Sequence, residues 1–300
     1  MYKLICKNTD ILLRSNNITW SSDIDTLGIQ LSFDSLYNLS EGSIVSLWTN
    51  NKEHLRTIVV KKSEGKFKYN YTCFDYSWYL KNEVIKQFNG VSASAAIKSL
   101  LSEYNIKSSI INIPTKINQI YKDQSIASII DDILQQAEKE QGIKYFKEMQ
   151  INTVVINNLQ NMKISPQILI SDEITINSSI EELKNKILVV NSSDDKKNKI
   201  LAIAEDKGCQ SQVGLLQMIE GVDGKDVAKA KNIANNLLKA NNKIFKDTSF
   251  DVLGIKDAET IKANRLIQIK AGKLNGWYRI KSASHTLSNN KHTVNIGLEF

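Results

Sequence analysis

The chain has little of what most site chemistries are built from. It holds 3 cysteines and 3 histidines in 300 residues. Cys6, Cys73 and Cys209 are odd in number and far apart, which fits neither a disulfide framework nor a CxxC metal site. All three read as buried small apolar residues. His54, His285 and His292 form no HExxH and no pair at helical spacing, so a zinc enzyme would have to gather ligands from scattered positions. No GxSxG elbow is present. With 2 prolines and 13 glycines, collagen-like, proline-rich and glycine-rich linker chains are excluded. No apolar run of signal-peptide length precedes Asp10, and none approaches the ~20 residues of a membrane span. A soluble chain made in the cytoplasm is expected. Arginine is scarce as well: Arg14, Arg56, Arg265 and Arg279 stand among 39 basic residues. Arginine leads bidentate phosphate and base contacts, so the net charge of +7 does not read as specific nucleic-acid binding.

What is there is globular: 42% hydrophobic and 24% charged residues, in a length that suits two domains. The positive surplus is local. Residues 225–300 carry 14 basic and 6 acidic groups, whereas residues 146–224 carry 8 and 11. Such polarity fits charge matching with a neighbouring subunit or an acidic partner, or a lysine-rich solvated face. The segment Gly221-Val222-Asp223-Gly224-Lys225-Asp226 is a near miss to a phosphate-binding loop. Ile219 occupies the first glycine position, and Asp226 replaces the hydroxyl residue. It reads instead as a turn with Asp223 capping a helix. Asp131-Asp132 and Glu138/Glu140 lie on a regular helix and read as a solvated face rather than a glycosidase pair. No catalytic, cofactor-binding or metal-ligating residue is assigned.

Periodicity divides the chain. Residues 1–75 carry short runs of alternating or β-branched residues, such as Leu27–Phe33, Ser43–Trp48 and Leu55–Val60, and predict a first small β-barrel. Ile11–Leu13 reads as one of its strands. Residues 76–172 change to helical spacing. One helix is predicted after Ser92 or Ser94, and a second from Ser125 to Gln141, stopped by Gly142. This is an α/β insert. Residues 173–300 return to strands and predict a second β-barrel, with a helix inserted at about 223–240 and a polar hairpin loop over 191–198. The fold class is therefore α+β, mainly β: two small barrels with an α/β insert between them. The closing hairpin Trp277–His285 and His292–Phe300 alternates cleanly around 287–291. His285 and His292 read as polar hairpin residues. Trp277 and Tyr278 must face opposite sides of their strand, one inward and one outward.

Two strings carry a resemblance. The first is Phe67-Lys68-Tyr69-Asn70-Tyr71-Thr72-Cys73-Phe74-Asp75-Tyr76-Ser77-Trp78-Tyr79-Leu80-Lys81-Asn82. The second is Asn275-Gly276-Trp277-Tyr278-Arg279-Ile280-Lys281-Ser282-Ala283-Ser284-His285 with His292-Thr293-Val294-Asn295-Ile296. They resemble the exit from the first barrel and the closing hairpin of the late control protein D-like baseplate hubs of contractile phage tails and phage-like bacteriocins. The resemblance implies two tube-type barrels and a homotrimer whose barrels form a pseudo-six-fold ring. It implies the tail tube protein on one side, the three-fold central spike on the other, and other baseplate proteins and the tape measure as further candidate partners. It implies a structural component of the particle tail, with no enzyme activity, cofactor, membrane or specific nucleic acid. No lysozyme or needle domain is expected after the closing hairpin. Trp277, Tyr278, Arg279, His285 and His292 are the candidate interface or hairpin residues. The competing readings are a tail-associated peptidoglycan hydrolase and an unrelated cytoplasmic assembly module.

Overall fold

The computed structural model describes residues 2–26, 28–170, 173–191, 199–222, 224–288 and 291–300, the side chains of 224–226 excepted. The expected loop over 191–198, the expected Asp223 cap and the tip of the closing turn fall largely or wholly outside those residues. The first seven strands are β1 (Tyr2–Cys6), β2 (Thr9–Asp10), β3 (Ser15–Asp23), β4 (Gln30–Ser35), β5 (Ile44–Thr49), β6 (Lys52–Glu64) and β7 (Tyr69–Asp75). They run antiparallel in the order β3-β4-β7-β6-β5-β1-β2. The sheet curls around Leu4, Trp20, Leu31, Leu47 and Tyr71. Ile11–Leu13 is not a strand. Leu12–Arg14 is a 3-10 turn, with Ile11 buried and Leu13 fully outside, because Asp10 accepts from the Leu12 amide and bends the chain there.

The insert starts with a 3-10 turn over Tyr76–Lys81, capped by Asp75. It continues through β8 (Glu83–Ser92), α1 (Ala93–Glu103), β9 (Lys107–Ile110), β10 (Lys116–Ser125), α2 (Ile126–Gln141), β11 (Tyr145–Gln150) and β12 (Thr153–Asn158). Both helices begin where serine can cap them: Ser92 accepts from the Ala95 amide and Ser125 from the Ser128 amide. Gly142 ends α2 in the left-handed conformation, at φ +67°. The apolar stripes of the two helices meet β8, β10 and β12 in one core built on Ile97, Leu100, Ile129, Ile130 and Ile133.

After β13 (Lys163–Ile164), β14 (Gln167–Ile170) and β15 (Asn177–Ser179) comes more than an inserted helix. β16 (Lys186–Asn191), β17 (Ile200–Glu205), α3 (Lys207–Val213), β18 (Gln217–Val222) and α4 (Ala230–Asn241) make a small α/β unit with its own core of Ile187, Val189, Ala204, Ile233 and Ala234. A 3-10 turn, Gly224–Lys229, leads into α4. Sequence alone shows β16 and β17 but not β18, which pairs parallel to β16 and so needs a crossover rather than a hairpin. Asn236 of α4 donates to the Lys139 and Glu140 carbonyls, both at 3.0 Å, and so finishes the end of α2. Cys209 is half-exposed on α3, not buried with Cys6 and Cys73, because that short helix contributes no buried residue.

The chain returns to the second barrel with β19 (Phe245–Lys256), β20 (Leu266–Ala271), β21 (Leu274–Ser288) and β22 (Lys291–Glu299). Its strands run β14-β19-β22-β21, with β20 on β21 and β13 on β20. The two curled sheets are not separate bodies. β21 pairs antiparallel with β3 from Ser282↔Asp23 to Leu287↔Ile18, so one sheet runs through both barrels. Leu287 lies in the first barrel's core.

Candidate functional site at the seam between the barrels

Alternation along β21 sends Ala283, His285 and Leu287 inward. The same alternation along β22 sends His292, Val294 and Ile296 inward. The register sets Leu287 opposite His292 and His285 opposite Val294, so the two histidines are diagonal neighbours on one face. Both lie in the closing hairpin on its buried face: they are 1% and 4% exposed. The reason is the β21–β3 pairing, which brings Trp20 over both rings. Trp20 stacks on His285 at 4.6 Å and 8° and on His292 at 5.1 Å and 29°.

The polar edges of these rings are matched in series. Tyr2 Oη lies 2.7 Å from His292 Nδ1. His292 Nε2 lies 2.9 Å from His285 Nδ1, and His285 Nε2 lies 2.8 Å from the Ile261 carbonyl. Burial, and then the neighbouring His292, hold His285 down to about 3. Burial holds His292 down to about 4. Both rings are neutral at pH 7. Nearby, His54 Nε2 meets the buried Glu259 carboxylate at 3.3 Å. All three histidines of the chain therefore gather at the seam, drawn from β6, β21 and β22.

A polar cleft of about 760 Å³ lies beside the seam, where the insert meets both barrels. Asp75 sits in its wall, accepting from the Ile29 and Ser77 amides at 3.0 Å each and from the Ser77 hydroxyl. Burial pushes its carboxyl up. Gly28, at φ +75°, closes over this knot, and a Cβ there would overlap Ser77 Oγ and Asp75 Oδ1. Across the cleft, Arg265 Nη2 donates to both Glu148 oxygens, at 2.9 and 3.1 Å. Burial alone would raise Glu148, but Lys262 and Arg265 outweigh it and hold the carboxyl below its usual range. The α2 carboxylates expected to be solvated have partners: Asp132 takes the Tyr121 hydroxyl at 2.6 Å, Asp131 meets Lys147 and Glu140 meets Lys229. Glu138 lines the cleft and is pushed up by burial.

The remaining candidates fall on the far part of β21. Trp277 is exposed, with Lys163 Nζ 5.1 Å above its ring. Tyr278 faces the second core, edge-on to Phe300 at 4.8 Å, and its hydroxyl accepts from the Asn275 amide. Arg279 pairs with Glu299 and Asn264. Tyr278→Ala is expected to cost about 2 kcal/mol and Trp277→Ala about 0.5–1 kcal/mol. Urea unfolding checks this; a larger loss at Trp277 would reverse the assigned faces.

Chemically the seam is built for packing and hydrogen bonding. Burial pushes the Cys73 thiol up to about 12, so it stays protonated. Among the described residues no group of three or more His, Cys, Asp or Glu is placed to hold a metal ion. No helix among them is long and apolar enough to cross a membrane. Sequence reasoning missed Tyr2, Trp20 and Glu259. The inward register of His285 and His292 was present in the alternation of β21 and β22.

No curated protein matches the chain in sequence. Solved structures match it in fold over almost its whole length. The tail protein from Neisseria meningitidis MC58 superposes with a TM-score of 0.73 at 10% identity, covering 100% of this chain and 96% of that one. The 43 kDa tail protein of prophage MuSo2 from Shewanella oneidensis gives 0.69 at 12% identity, covering 99% and 97%. The E. coli c3393 protein, a type VI secretion component described as similar to the T4 tail proteins gp27 and gp5, gives 0.54 at 8% identity, covering 99% and 76%. The fold is thus shared with these tail proteins. The YQBQ-like family model matches residues 18–299, from the seam strand β3 to the end of β22, and the chain belongs to that family.

Proposed function

We propose that the chain is the structural baseplate hub of a contractile phage tail or a tail-like particle. Three copies form a ring in which six barrels stand in pseudo-six-fold order. One face of the ring continues the hexameric tail tube and the other seats the three-fold central spike. The single observation that carries the reading is the β3–β21 ladder. It fixes two barrels edge to edge in one chain, so three chains supply six barrels in joined pairs. Likeness in fold to tail proteins over nearly their full length supports the role, as does the similarity to a type VI secretion component. A heterologous ring contact closes by rotation and covers strand edges that a monomer would leave open. The role is non-enzymatic, and the protein resides in the baseplate after assembly in the bacterial cytoplasm.

Mass photometry of the purified chain, alone and with the tube and spike proteins of its particle, tests this. The expected result is a species at three times the 33.8 kDa chain mass, or a complex with those proteins. A chain that stays monomeric in every mixture and is missing from isolated particles overturns the reading.

A further inference from the structure

The contacts at the seam fix where the protons are. The Ile261 carbonyl can only accept, so His285 Nε2 carries a hydrogen. His285 is neutral, so its Nδ1 is an acceptor, and His292 Nε2 must donate to it across 2.9 Å. By the same step His292 Nδ1 is an acceptor, and the Tyr2 hydroxyl donates to it. The bonds run in one direction, from Tyr2 on β1 through β22 and β21 to the turn after Thr260. They cross from the first barrel to the second.

We propose that this one-way chain of hydrogen bonds is an acid-sensitive latch, closing the seam between the barrels at neutral pH and releasing it when the two histidines take up protons. The geometry orders the two steps. A proton on His292 Nδ1 can be accommodated if the Tyr2 hydroxyl turns away and donates to Glu259 Oε2, 3.5 Å off. A proton on His285 Nδ1 has no such outlet, because it would face the N–H of His292 across 2.9 Å. The surroundings offer little compensation. From β3 the rings meet Trp20, and from β19 they meet the backbone at Gly254, where a Cβ would sit 3.1 Å from His292 Nδ1. From β6 comes His54, already opposite Glu259. From the turn before β20 come Glu259 and Lys262, and the Lys262 charge disfavours a proton on His285.

The sign follows from the lowered values. The folded chain refuses two protons that the unfolded chain accepts near the ordinary value of about 6.5. The stability conferred by the neutral pair is complete above that pH and is lost as pH falls toward about 4. Each histidine adds about a tenfold rise in the unfolding constant per pH unit within that window.

Two measurements on the full chain test the latch. Imidazole ¹⁵N spectra at pH 7 are expected to show two of the three rings as neutral Nε2–H tautomers, still neutral at pH 5.5. An Nδ1–H tautomer at either, or a native titration of either near pH 6.5, overturns the proposal. Urea unfolding between pH 6.5 and 5 is the second. His292→Gln keeps a donor and an acceptor but cannot be protonated. Its unfolding constant is expected to rise about tenfold less per pH unit than that of the parent chain. Equal slopes overturn the proposal, and the spectra of the parent chain decide it if the variant does not fold.

Discussion

Trp20→Ala is expected to destabilise the chain by ~4 kcal/mol. Trp20 is 4% exposed, and its ring lies over both His285 and His292. Its removal has two costs. Apolar area returns to water, and a cavity opens whose walls are β3, β21 and β22, which the seam ladder keeps from collapsing. Water admitted there would also ease protonation of the two rings in the folded state, so the variant gives up less stability to acid than the parent chain, and the cost should shrink as pH falls from 7 to 5. Trp20→Phe keeps an aromatic plate at the site and is expected to cost about half as much. Chemical denaturation at both pH values checks this. A loss below about 1.5 kcal/mol, or one that does not depend on pH, would show that the ring does not hold the seam.

Arg265→Ala is expected to cost about 3–5 kcal/mol at pH 7, because it strands Glu148 in a buried site. The two side chains are 12% and 9% exposed, and the guanidinium grips both carboxylate oxygens while Nη1 holds the Thr260 carbonyl. The pair ties β11 of the insert to the second barrel. Glu148 is held below its usual range, so its contribution is present above the unfolded value of about 4.3 and is lost as pH falls through the folded one. The cost of Arg265→Ala should therefore shrink between pH 7 and pH 4, through the protonation of Glu148 rather than of the histidines. Arg265→Met combined with Glu148→Leu is expected to recover most of the loss. A single substitution as mild at pH 7 as the double one would mean the pair is not desolvated.

How far these features were legible in the sequence depends on how local their causes are. The helix α2 could be read nearly to the residue. Ser125 caps it, Gly142 ends it, and isoleucines at helical spacing mark its buried side. Strands β21 and β22 could be read because long alternation is a local property. β3 was missed. Its sequence, Ser15-Asn16-Asn17-Ile18-Thr19-Trp20-Ser21-Ser22-Asp23, shows only Ile18 and Trp20 as inward apolar residues. What makes it a strand lies in β4 and in β21, whose partner residues are some 260 positions away. The site shares that fate. The burial of His285 and His292 follows from their register, but their Trp20 cover and the Tyr2 contact are long-range. Arg265 and Glu148 lie 117 positions apart, and neither stands in a motif.

The polar make-up of β3 has a consequence during synthesis. Its partner edge belongs to β21, so the first barrel leaves the ribosome with that edge unpaired. At ~5–20 residues per second, roughly 15–50 s pass before the closing hairpin emerges. An open edge rich in apolar residues would be free in that interval to pair with the same edge on neighbouring nascent chains. Asn16, Asn17, Ser21, Ser22 and Asp23 make it a poor template for such pairing. The strand that hid from pattern reading is thus suited to waiting, unpaired, for the end of its own chain.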